Sequence, residues 1–168
     1  SVSDFESMSK NAEIKVIDVR HQDNFAKGHV PNSIFIGIDG SFAPWVGEIL
    51  KDIKIKILVV VDDDRETEVF TRLSRVGFDN YIGYLSGGIK SWIKNGYETQ
   101  SIENISPDEF VNIMNEIKIL DVRNEGEIKS SSLDNSIKIP LKTLENNLNK
   151  LNQNNKYYIH CAGGYRSM

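Results

Sequence analysis

One strand-like segment of this chain occurs twice. Val16-Ile17-Asp18-Val19-Arg20 returns as Ile119-Leu120-Asp121-Val122-Arg123, and Asn32-Ser33-Ile34 returns as Asn135-Ser136-Ile137, both at an offset of 103 residues. Two separate matches at one spacing mark a tandem duplication. Whatever the first copy builds, the second must also be able to build. In the first copy, apolar runs at Ile14–Val19, Ile34–Ile36, Ile55–Val61 and Tyr81–Leu85 read as strands. Between and around them, the spacing of Val2, Phe5 and Met8, of Val69, Phe70, Leu73 and Val76, and the run Ile89–Asn95 predict helices. Gly77 and Gly96 stand where helices stop. Strands alternating with helices pair in parallel and need cover on both faces, so the expected class is α/β.

Two segments break the alternation. Asp39–Trp45, containing Gly40 and Pro44, reads as a loop that exposes Phe42 and Trp45, either as a docking surface or to fill a groove between domains. The pattern pauses over Thr99–Ile105, which divides the chain into domains 1–100 and 101–168. Ser106-Pro107-Asp108-Glu109 then opens a helix, with serine as N-cap, proline in the first position and glutamate placed for a capping box.

Composition removes several function classes. With 168 residues, 39% hydrophobic and 26% charged, the chain has the balance of an ordinary globular protein of one or two domains. A formal net charge of −4 without a basic stripe argues against nucleic acid as a partner. The single cysteine excludes an internal disulfide and fits a reducing, cytoplasmic location. No stretch is long enough to span a membrane, and no signal-peptide pattern opens the chain. Ser1 in place of an initiator methionine points to a fragment of a longer protein.

That cysteine is the centre of the chemistry. Tyr157–His160 reads as a strand that delivers Cys161 into the small-residue loop Ala162-Gly163-Gly164-Tyr165-Arg166-Ser167. The thiolate is the reactive form of cysteine, and backbone N–H groups or an arginine near the sulfur favour it. Ala162, Gly163 and Gly164 let the backbone curl and aim its N–H groups inward, and Arg166 adds a planar fork of donors. Against this stands a buried core cysteine followed by an ordinary glycine turn. Only Ala162–Tyr165 separate the cysteine from the arginine. Loops that cradle phosphate in cysteine-dependent phosphatases are one residue longer, so this ring suits a sulfur atom better than a phosphoryl group.

Together, Asp-Val-Arg after a strand, Gly28-His29-Val30-Pro31-Asn32-Ser33, Gly77-Phe78-Asp79-Asn80, and Ser86-Gly87-Gly88-Ile89 followed by Trp92 resemble a rhodanese domain over residues 12–98. Residues 106–168 resemble the first two thirds of a second such domain, with Ser131-Ser132-Leu133-Asp134 where the first copy has Gly-His-Val-Pro. The resemblance implies a rhodanese-like parallel sheet flanked by helices, duplicated in tandem, with the second copy truncated after its active-site loop. Aligning Val59-Val60-Val61 with Ile159-His160-Cys161 puts Val61 opposite the cysteine and Asp62-Asp63-Asp64 opposite Ala162-Gly163-Gly164. Three carboxylates repel an anion, so the first copy is expected to be inactive, its aspartates a solvated surface. With the segment Gly40-Ser41-Phe42-Ala43-Pro44-Trp45-Val46-Gly47, the whole resembles the C-terminal half of bacterial metallo-β-lactamase-fold hydrolases of the persulfide dioxygenase type. Any iron or zinc then belongs to an upstream domain, and this chain carries no cofactor.

For an active second copy, the resemblance implies that Cys161 takes sulfur from a small anionic donor, thiosulfate or a persulfide, and yields it to a thiol-type acceptor. Backbone N–H groups from Ala162 to Arg166 would hold the sulfur, and Arg166 would steer the donor. Asp18, Arg20, Asp121 and Arg123 are strand-end structural pairs, and His160 faces away from Cys161. A helix N-terminus that completes the cradle would lie beyond Met168, so the chain alone is expected to be folded and weakly active. A non-catalytic binding module remains the alternative, and a cysteine-dependent phosphatase or arsenate reductase is disfavoured by the short loop.

Overall fold

The computed structural model describes residues 1–168, which divide into two compact units, Ser1–Ile102 and Glu103–Met168. In the first unit, α1 (Val2–Ser9), β1 (Ile14–Asp18), α2 (Gln22–Lys27), β2 (Ile34–Phe35), α3 (Phe42–Leu50), β3 (Lys56–Val60), α4 (Glu66–Ser74), β4 (Tyr81–Tyr84) and α5 (Gly88–Lys94) follow in order. The four strands form a parallel sheet in the order β2-β1-β3-β4. Parallel neighbours can be joined only by long crossovers, and the helices supply them. Ile17, Val19, Ile57 and Val59 meet Phe42 and Val46 of α3 and Val69 and Leu73 of α4 on one face. Ile14, Val16, Leu58 and Val60 meet Phe5 of α1 and Trp92 of α5 on the other. The α/β class with helices on both faces is the one the sequence predicts.

The segment around Phe42 corrects the sequence reading. Phe42 opens a helix that runs to Leu50, is only 2% exposed, and belongs with Trp45 to the core of its own unit. Pro44 is the third residue of α3, a position whose N–H has no intrahelical acceptor, so proline costs the helix nothing there. Phe42 is therefore not a docking surface, and Trp45 is half-buried against the same core. At its other end α4 stops at Ser74, two residues before Val76, and Gly77 turns the chain with φ 83°.

The second unit runs α6 (Pro107–Ile113), β5 (Lys118–Asp121), α7 (Glu125–Ser130), β6 (Ser136–Lys138), α8 (Leu141–Leu144), a 3-10 helix (Glu145–Lys150) and β7 (Tyr157–His160). Its parallel sheet has the order β6-β5-β7. The hydrogen bonds repeat with the sequence. Ile36 and Ile38 donate to Asp18 O and Val19 O at 3.0 and 2.9 Å; Ile139 and Leu141 donate to Asp121 O and Val122 O at 3.0 and 3.1 Å. Ser33 Oγ donates to Val30 O at 2.7 Å, and Ser136 Oγ to Leu133 O at the same distance, so the turn survives the loss of Gly-His-Val-Pro. Both α6 and α7 begin with full capping boxes, Ser106/Glu109 and Asn124/Glu127. Leu120, Val122 and Ile139 pack with Leu141, Leu144, Leu151 and Cys161. No helix is long and apolar enough to cross a membrane.

Truncating a large aromatic in a packed core costs about 3–5 kcal/mol, whereas an exposed one costs almost nothing. Phe42→Ala is therefore expected to lower the unfolding free energy by about that amount, read by urea denaturation; a loss near zero would return Phe42 to the surface.

Candidate active site

Each unit ends its first strand with a buried aspartate paired to an arginine. Arg20 Nη2 lies 2.6 Å from Asp18 Oδ2 and also donates to Gly28 O at 2.9 Å. Arg123 Nη2 lies 2.7 Å from Asp121 Oδ2 and donates to Ser131 O at 2.7 Å. A buried charge needs its counter-ion and hydrogen bonds, and these pairs have both. Burial pushes the Asp18 carboxyl above its ordinary value despite Arg20. Burial pushes Asp121 up as well, but there the hydrogen bonds from Arg123 win and leave the carboxyl below its ordinary value.

In parallel register Asp18 pairs with Val60 and Asp121 with His160. The next residues, Val61 and Cys161, therefore occupy equivalent places. Cys161 joins the apolar cluster on one side of the sheet, while the preceding His160 approaches the ion pair, with Nε2 3.5 Å from Asp121 Oδ2. That nitrogen is buried and has no hydrogen-bond partner.

After β7, residues 161–168 form successive bends and turns, with Gly164 in the left-handed region at φ 81°, where a side chain would be strained. The turns bring the loop back onto the sulfur. Ser167 Oγ lies 3.4 Å from Cys161 Sγ. Burial raises the half-buried thiol, but the Ser167 hydroxyl and the backbone N–H groups of Gly163, Ser167 and Arg166 outweigh it and hold the thiol below its ordinary value. Of the residues named from sequence, Gly163, Arg166 and Ser167 address the sulfur; Ala162 is exposed, and Gly164 supplies the turn.

The Arg166 side chain serves two partners: it lies near the Cys161 sulfur and pairs chiefly with Glu127. Its Nη1 and Nη2 donate to Glu127 Oε2 and Oε1, each at 2.7 Å, across 39 residues of sequence. This planar, two-point pair is the strong form of an ion pair. Arg166 and the Asn124 N–H hold the Glu127 carboxyl down at about 2. Sequence reasoning missed Glu127. The available signal was a paired difference between the copies: at the duplication offset Glu127 faces Asn24, and in the Val61/Cys161 alignment Arg166 faces Glu66.

Other features lie apart from the sulfur. Asp62, Asp63 and Asp64 are exposed. No group of His, Cys, Asp and Glu side chains is arranged to hold a metal ion. A groove of about 670 Å³ on the first unit is lined by Glu6, Lys10, Trp92 and Tyr97 among others and contains no cysteine.

Two outcomes follow from this geometry. Ser167→Ala removes a hydrogen bond to the sulfur and is expected to raise the thiol midpoint by about one unit. At pH 7 iodoacetamide should then alkylate Cys161 about threefold more slowly, the smaller thiolate fraction being partly offset by higher intrinsic nucleophilicity. The lowered carboxyl of Glu127 contributes stability that is fully present above the ordinary glutamate value of 4.5 and is lost as pH falls toward about 2. The stability difference between wild type and Glu127→Gln should shrink across that window in acid denaturation.

Comparisons with known proteins agree with the architecture. A domain of an Anabaena sp. protein, described as Rhodanese_3-like, superposes with a TM-score of 0.50 at 20% identity, covering 56% of this chain and 98% of its own. A second structure of that Anabaena protein gives 0.54 at 19% identity, covering 68% and 87%. Thiosulfate sulfurtransferase from Pseudomonas aeruginosa gives 0.50 at 18% identity, covering 99% of this chain and 39% of its own length. A search of curated proteins returned no match. At these identities the structural likeness speaks for the fold alone. The profile of the rhodanese-like domain matches two segments, residues 1–95 and 106–168, and with nearly the whole sequence accounted for, the chain belongs to the rhodanese-like domain family.

Proposed function

We propose that this chain is a rhodanese-type sulfurtransferase module, moving sulfane sulfur through a persulfide on Cys161. One observation carries the reading: the Ser167 hydroxyl and three backbone N–H groups converge on the Cys161 sulfur and favour its thiolate. Membership of the rhodanese-like family and a fold shared with a protein described as a thiosulfate sulfurtransferase support it.

The chemistry is two displacements at sulfur. The Cys161 thiolate attacks the outer sulfur of thiosulfate or of a small persulfide; the new S–S bond forms as the donor's bond breaks, and sulfite or a thiolate leaves with the electron pair. Cys161 now carries a terminal sulfur anion. The N–H groups of Gly163, Arg166 and Ser167 then serve that anion as an oxyanion hole serves oxygen. An acceptor thiolate attacks the terminal sulfur, becomes a persulfide and returns Cys161 to the thiolate. No redox cofactor is needed, because each leaving group carries its own electron pair.

The first unit, with Val61 in the place of Cys161 and exposed carboxylates after it, is read as a copy without a nucleophile, retained for packing or binding. The resemblance to persulfide dioxygenase fusions adds a proposed setting: a metallo-β-lactamase-fold domain on the same polypeptide, holding any iron or zinc and exchanging sulfur with Cys161.

The test is the intact mass of the chain before and after exposure to thiosulfate, and separately to glutathione persulfide. A gain of one sulfur atom that Cys161→Ser abolishes is the expected result. No gain with either donor sinks the sulfurtransferase reading in favour of a binding module.

A further inference from the structure

We propose that Glu127 is a positioning residue of this site, acting through Arg166 to hold the 161–167 loop closed on the sulfur. The inference rests on the reading of Cys161 as a nucleophile. Three observations lead to it.

The first is how the carboxylate is anchored. Glu127 Oε2 accepts the Asn124 N–H at 3.0 Å, and the Glu127 N–H donates to Asn124 Oδ1 at 2.9 Å, so the side chain belongs to the capping box that starts α7. Arg123, itself fixed by Asp121, adds a second cation near it. The carboxylate is thus held by the β5–α7 turn before it meets the loop. With side chains 29% and 18% exposed, Glu127 and Arg166 form a partly buried pair.

The second is what Arg166 controls. Two of the three backbone donors to the sulfur are the N–H groups of Arg166 and Ser167. These belong to the two peptide units that flank the Arg166 Cα. Clamping its side chain at two points fixes the orientation of both.

The third is the pattern of loss in the first unit. The Asp–Arg pair is present in both units, as Asp18–Arg20 and Asp121–Arg123. Where the cysteine is Val61, the glutamate is Asn24 and the arginine is Glu66. A pair needed only for folding would have stayed with Asp18 and Arg20. Glu127 and Arg166 occur only with the cysteine.

The experiment is the pH profile of Cys161 alkylation by iodoacetamide in the full chain, with circular dichroism confirming the fold. Glu127→Gln keeps an oxygen for the Asn124 N–H but removes the charge. It is expected to raise the midpoint by about one unit and slow alkylation at pH 7 about threefold, and Arg166→Gln, which also removes the guanidinium beside the sulfur, should shift it at least as far. The double variant should be no worse than Arg166→Gln alone, since Glu127 acts only through Arg166. A role confined to stability would lower the melting temperature and leave the midpoint in place; an unchanged midpoint in folded Glu127→Gln, or additive shifts, overturns the proposal. If Glu127→Gln does not fold, Arg166→Lys keeps the charge and loses the fork: a raised midpoint supports the clamp, an unchanged one overturns it. Sulfur uptake is read separately by mass. Wild type with a depressed midpoint that takes up no sulfur refutes the sulfurtransferase reading while the clamp stands.

Discussion

A carboxylate buried at the end of a strand has to find a cation, and in both units it finds one two residues later. Asp18, Arg20 and Asp121 are out of water and Arg123 is partly so, and losing either arginine strands a buried carboxylate. The arginine also reaches across to a carbonyl, Gly28 O or Ser131 O, and ties the following helix and turn back to the strand. In the second unit the chain of constraint continues. The turn sets the start of α7, α7 sets Glu127, and Glu127 meets the arginine of the cysteine loop. A rigid, inert pair becomes the foundation of a reactive one.

Parallel sheets place their loops at the carboxyl ends of the strands, where ligands of α/β proteins generally bind. Cys161 follows β7 at that end, and Val61 follows β3 at the same end of the first sheet. The scaffold is therefore indifferent to the chemistry. At that end of the sheet the units differ in a handful of side chains, together with a loop that turns back in one case and leads into α4 in the other.

Much of this was legible in the sequence because it depends on local rules. The duplication, the strand runs, the capping box at Ser106 and the cysteine loop are all contained in short windows. Phe42–Trp45 was misread as loop because Gly40 and Pro44 look like breakers, and only packing against Val46, Val69 and Leu73 shows that proline in the first turn does no harm. Glu127 was missed for a different reason. On its own it is an ordinary capping glutamate, and its second partner lies 39 residues away. His160 was placed correctly on the face opposite Cys161, but its buried, unpaired Nε2 beside Asp121 emerges only from the strand register.

The two-point bond between Glu127 and Arg166 also bears on how such a domain drifts. Replacing either residue alone leaves its partner's charge partly buried and unmatched, so the intermediate between the two unit types is worse than either end point. The pair is therefore lost at least cost when both positions change together, a crossing between the two unit types and not a gradual decay. The first unit, with Asn24 and Glu66, has the composition of a copy that has already made that crossing.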